Sequence, residues 1–225
     1  MKTENKIYLI VASVSILLMV GSFFLPAEPG KMDDMPWHIE SPTAGSLRVF
    51  GLTLGQSNTN DAERKFKEEA KPSLFKAPNG ALGAEVFFEQ VNLAGLRSKI
   101  VLTIAVPEAD LKSMYERGLR ISATGSGKKI TLTSDDIVVL RTLPISSLTY
   151  IPGFGVEDEM FLRRFGPPTQ RIKEKQSGAI HWLYPQKGLD ITLGGNDKPL
   201  LQYIAPKEFD RLMQPLLLNG EVLSQ

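Results

Sequence analysis

Cysteine is absent from the chain, and histidine occurs only as His38 and His181. Without a thiol there is no disulfide, thiolate metal site, cysteine nucleophile or cysteine-borne lipid, so redox chemistry says nothing about compartment. The two histidines are far apart and form no His-x-x-x-His pair. Asp33-Asp34 and Asp135-Asp136 lack the spaced oxygen ligands and central glycine of a calcium loop. A dominant charge is missing too: 26 Lys and Arg stand against 25 Asp and Glu, a formal net charge of +1. A dedicated nucleic-acid binder carries a strongly basic face, so no nucleic-acid partner is expected, and no cofactor is implied.

Catalytic patterns are equally scarce. There is no Gly-x-Ser-x-Gly elbow. "ATGSGKKIT" fails as a phosphate loop, because Ser122 stands where the first glycine belongs and Lys129 where Ser or Thr should follow Lys128. Two Ser-x-x-Lys matches, Ser73–Lys76 and Ser126–Lys129, have the spacing of penicillin-recognising enzymes without the accompanying Ser-Asp-Asn or Lys-Thr-Gly. The chain therefore reads as a non-enzyme, with an envelope serine hydrolase as the remote alternative.

What is present begins with "IYLIVASVSILLMVGSFFL", residues 7–25, which contains no charge or proline. Nineteen helical residues at ~1.5 Å each span about 28 Å, close to the hydrocarbon thickness of a bilayer, and exceed the roughly 7–15 apolar residues of a secretory signal. Cleavage before Phe23, after Val20-Gly21-Ser22, is the competing reading. Lys2 and Lys6 precede the run, whereas Glu28, Lys31, Asp33 and Asp34 follow it, so residues 1–6 are assigned to the cytoplasm and the part after the run to the periplasmic side of a bacterial inner membrane. Residues 26–43, with Pro26, Pro29, Pro36 and Pro42, read as a tether.

Beyond the tether the pattern is α+β. "SKIVLTIAV" alternates Ile100, Leu102, Ile104 and Val106 against Lys99 and Thr103, the period of a half-buried strand, and "LRISATG" and "KKITLT" repeat it around a "GSGK" turn. Short helices are expected in "NDAERKFKEEA", with an Asn60–Glu63 capping box and a Glu63–Lys67 pair; in "PEADLKSMYERG", closed by a left-handed Gly118; in "TSDDIVVLRTL", capped by Ser134; and in "PKEFDRLMQPLLL", ending or kinking near Gln214 because of Pro215. The expected architecture is mostly antiparallel sheet with short helices on one face. It divides into subdomains 44–151 and 152–225, and no exact internal repeat is visible.

In "HWLYPQKGLDITL" His181 alternates away from Trp182 and reads as a residue of the less apolar sheet face, with Gly188 taking positive φ in the following turn. "VEDEMFLRRFGPPTQ" reads as a helix with acids first, arginines last and a Gly-Pro-Pro stop. Phe165-Gly166-Pro167-Pro168, followed by Trp182-Leu183-Tyr184-Pro185 and Gly188-Leu189, resembles the BamE/SmpA family of small envelope lipoproteins over residues 153–204. That resemblance implies a small antiparallel sheet with helices on one face, acting as a non-catalytic scaffold for an envelope assembly machine. The chain departs from the family in having a membrane run, no lipid-bearing cysteine and about a hundred residues before the motif.

Arg163, Arg164, Arg171, Lys173 and Lys175 lie close together, interrupted by only Glu174 among acids, and are the candidate contact for anionic lipid or an acidic partner. The expected function is thus a membrane-anchored periplasmic interaction or scaffold subunit. Its partners would be other envelope or membrane proteins, and residues 7–25 would hold it in the bilayer. A lipid- or small-ligand-binding domain, marked by a deep apolar cavity, is the alternative.

Overall fold

A computed structural model describes residues 35–125, 127–194 and 198–224. The expected membrane run, 7–25, lies outside the described residues. Among the described residues no helix is long and apolar enough to cross a membrane.

Alternating sequence becomes an α+β fold built on one antiparallel sheet. Its strands are β4 (Lys71–Lys76), β5 (Leu82–Leu93), β6 (Leu96–Ile104), β7 (Arg120–Thr124), β8 (Gly127–Thr131), β9 (Ile145–Pro152), β10 (Gln170–Glu174), β11 (Ile180–Tyr184), β12 (Leu189–Leu193), β13 (Leu200–Ile204) and β14 (Gly220–Leu223). Across the sheet they run β14-β10-β11-β12-β13-β9-β6-β5-β4-β8-β7. β9 hydrogen-bonds to β6 on one side and β13 on the other. The expected boundary near Pro152 therefore falls at the end of the strand that joins the two halves. They are two wings of one sheet, and residues 32–225 form one compact unit.

One face of the sheet buries the main core. Strand alternation sends Val86, Phe88, Ile100, Leu102, Leu148, Tyr150, Leu201, Tyr203, Leu189 and Ile191 to this side. Over it lie a small sheet of β1 (Ile39–Glu40), β2 (Arg48–Val49) and β3 (Leu52–Thr53), and the helices α1 (Thr59–Phe66), α2 (Glu108–Glu116), α3 (Ser134–Thr142) and α4 (Asp158–Phe165). The β2–β3 turn places buried Phe50 at φ 52, a backbone conformation costly for a bulky residue. Its ring, 5.3 Å from Tyr150 and 5.9 Å from Tyr203, supplies compensating burial.

The last helix, α5 (Asp210–Asn219), departs from the one-face expectation. Leu212, Met213 and Leu216 pack with Phe209 on Ile172, Leu183 and Ile204, which alternation places on the opposite face. The helix also continues through Pro215, because Met213 before it and Leu216 after it share the same sheet surface. α5 covers only one wing. In the centre of that face Phe87, Val101, Thr149 and Gln202 form a cross-strand row that stays half-exposed.

Several local expectations shift by a residue or two. The capping box of α1 is Asn58 with Asp61, not Asn60 with Glu63: the Asn58 side chain accepts from the Asp61 amide at 3.1 Å and Asp61 accepts from the Asn58 amide at 2.9 Å. Glu63 instead meets Arg141 of α3 at 3.3 Å, since Lys67 lies at the cap after the helix with φ 55 and leaves the i,i+4 geometry. Thr133, not Ser134, caps α3. Gly118 is not a left-handed cap; it is small because a Cβ would come within 2.4 Å of Ile130. Asn58→Ala should lower stability by about 1 kcal/mol, read from the urea midpoint, and an unchanged midpoint would exclude the cap as a stabilising element.

The structure contains a similar helix–strand arrangement twice, without an exact repeat in sequence. α1 and α4 each end in phenylalanine, Phe66 and Phe165, followed by a positive-φ residue, Lys67 (φ 55) and Gly166 (φ 80). The next strands begin at Lys71 and Gln170, the same distance on. Each phenylalanine then meets an aromatic ring of the second strand, Phe88 at 5.2 Å and Tyr184 at 6.0 Å. Both meanders run inward to β9.

Candidate functional site

The five candidate cations separate into two groups. Arg163 and Arg164 occupy the last turn of α4, where cations oppose the negative end of the helix dipole. Arg171 and Lys173 point to the main-core side of β10, and Lys175 follows the strand. Among the described residues none of the five forms an ion pair. Arg164 lies 4.2 Å from the ring of Trp37, and Arg171 lies 4.8 Å from the ring of Trp182. Both tryptophans of the chain are therefore faced by an arginine of this cluster, an attraction of about 0.5–1 kcal/mol at exposed sites and more when dry.

Trp37 belongs to the stretch 26–43 expected to be tether, so the folded part begins before residue 44. The Tyr203 hydroxyl of β13 donates to the Pro36 carbonyl at 2.8 Å, and Arg164 of α4 lies over Trp37, which holds this segment beside α4. Between them is an apolar pocket of about 100 Å³, walled by Trp37, Tyr150, Val156, Met160, Phe161 and Leu201, among others, with only carbon surface exposed inside. Arg164 lines its edge. The signal for it in the sequence was a lone tryptophan in a proline-rich stretch, a residue that a plain spacer does not need.

His181 sits, as alternation requires, on the less apolar face, and its partner is Asp190 of the neighbouring strand. Nδ1 lies 2.8 Å from the Asp190 carboxylate and 3.3 Å from the Thr192 hydroxyl. Asp190 is 2% exposed, and its second oxygen has no hydrogen-bond partner. Burial works against the imidazolium, but the hydrogen bond and charge of Asp190, with Glu174 adding, outweigh it and raise the His181 pKa. Burial likewise raises the pKa of Asp190, more than the imidazole lowers it. A nucleophile would complete this dyad into a hydrolytic triad. Among the described residues, no group hydrogen-bonds to Nε2.

The remaining catalytic candidates are not assembled. Ser73 and Lys76 are three apart on β4 and so point to opposite faces; Ser73 is buried and Lys76 lies over the Tyr115 ring at 4.4 Å. Ser126 lies outside the described residues. His38 bonds to Glu40 at 3.0 Å, and among the described residues no three His, Cys, Asp or Glu side chains gather to hold a metal. Asp136 pairs with Arg117 at 2.6 Å while capping α3 with Thr133.

Comparison of the chain with protein-family models, curated proteins and solved structures returned no match.

Proposed function

We propose that the chain is a non-catalytic, membrane-anchored interaction or scaffold subunit of a bacterial cell-envelope complex. Residues 7–25 would lie in the inner membrane with the folded part on the periplasmic side. The observation that carries the interaction reading is the carbon-lined pocket under Trp37, bordered by Arg164, which has no carboxylate partner among the described residues. Buried apolar anchors beside arginine are the usual centre of a protein interface. The BamE/SmpA resemblance of residues 153–204 points the same way.

The size of this pocket weighs against its enclosing a lipid or small ligand, since sites that do so run to about 300–1,000 Å³. Membranes from cells expressing the chain, washed with alkaline carbonate, should retain it in the pellet. A C-terminal reporter should work only outside the cytoplasm. Release into the wash, or a reporter working in the cytoplasm, would defeat the anchored reading.

A further inference from the structure

We infer that the pocket between Trp37 and α4 takes a single apolar side chain, up to about the size of leucine, carried beside a carboxylate on a segment of a partner protein. This rests on the interaction reading above and names the partner's chemistry. Three observations support it.

The first is size and lining. A dry cavity of about 150 Å³ lined by aliphatic and aromatic groups accepts benzene, so about 100 Å³ of wholly carbon-walled space suits one smaller branched side chain and excludes a long acyl chain. The second is charge. Among the described residues the Arg164 side chain makes neither a hydrogen bond nor an ion pair, so its donors meet no carboxylate of those residues. Among the described residues Arg163 beside it likewise forms no ion pair, although Glu159 stands one turn before it. The third is rigidity. Trp37 is held by Arg164 on its ring and by the Tyr203–Pro36 hydrogen bond next to it, so the wall is formed before anything binds. A guanidinium held over an indole by this attraction has five donors, and those not turned to the ring can meet a planar carboxylate.

The test uses the full chain in phosphatidylcholine nanodiscs, with Trp182→Phe so that Trp37 alone reports. The probes are 4-methylpentanoate, a leucine side chain with a carboxylate, and its neutral amide. The acid should change Trp37 emission saturably, the amide should bind roughly tenfold more weakly, and Arg164→Gln should abolish that difference while leaving the amide unchanged. Val156→Phe and, independently, Met160→Phe should fill the pocket and remove both responses, with a retained melting transition showing that each variant folds. A response that does not saturate, or that persists in a folded pocket-filling variant, overturns the assignment.

In cells, a photoreactive side chain at position 163 should crosslink to a protein peptide with an apolar residue next to Asp or Glu. Adducts only to phospholipid, only to peptides lacking that pair, or none at all overturn the proposal. A parallel probe at Thr149 on the uncovered sheet face separates the two readings. Protein adducts there, with none at 163, would sink the pocket while leaving the scaffold. Release by the alkaline wash would sink the anchored scaffold whatever the pocket binds.

Discussion

Gly188→Ala is expected to destabilise the fold by about 4 kcal/mol, enough to lower the melting temperature by roughly 10 °C or leave the chain unfolded at 37 °C. Gly188 has φ +60, and an added Cβ would lie 2.0 Å from the Ile204 carbonyl oxygen and 2.7 Å from a methyl of Leu47. The first of these is backbone that cannot swing aside, because the Ile204 amide also donates to the Gly188 carbonyl at 2.9 Å. Two causes combine at this position, the left-handed conformation and the lack of space, and a second variant separates them. Gly95, in the turn between β5 and β6, has φ +83, but an added Cβ there would meet no atom within 4 Å, so Gly95→Ala should cost only about 1 kcal/mol. Thermal melts of the two variants compare them directly. Equal losses would show that close approach at Gly188 contributes nothing.

His181→Leu should cost about 3 kcal/mol near neutral pH, and much less near pH 4. The substitution roughly preserves volume but leaves the Asp190 carboxylate, 2% exposed, with no counter-charge. A carboxyl whose folded pKa lies above its unfolded value of about 3.9 destabilises as pH rises through that interval and is neutral in both states below it. The deficit of the variant should therefore open as pH rises from about 4. In the native protein the imidazolium adds the same sign: its folded pKa is raised, so its contribution is complete below about 6.5 and is lost as pH climbs through the folded value. Urea midpoints across this range should fall with rising pH in the native chain. Leucine at both 181 and 190 should recover most of the loss, since a buried pair replaced whole by apolar groups is often neutral or stabilising. A deficit independent of pH would mean that packing, not the buried charge, is what His181 contributes.

The sites were unequally legible in the sequence. Alternation alone placed His181 on the less apolar face and opened the turn at Gly188, because both depend on residues within a few positions. Asp190 was equally visible as a residue, yet its pairing with His181 needs the register of β11 against β12, set by the length of the turn and by the burial of Trp182 and Ile191 on the other side. Trp37 was hidden differently: the prolines around it describe a spacer, and only the fold of residues far along the chain, Tyr203 and Arg164, turns that spacer into a wall.

Periodicity, capping chemistry and neighbours along the chain were enough to establish the alternation of strands with short capped helices, the α+β class, the left-handed turn at Gly188 and the clustering of five cations. Packing in three dimensions was needed to make β9 join both wings, to send α5 to the opposite face, to repeat the helix–meander unit, and to bring Arg164 to Trp37 and His181 to Asp190. The reason is that a side chain's direction follows from its own backbone, whereas the atom it meets depends on strand order and register, which are chosen by burying the whole core at once.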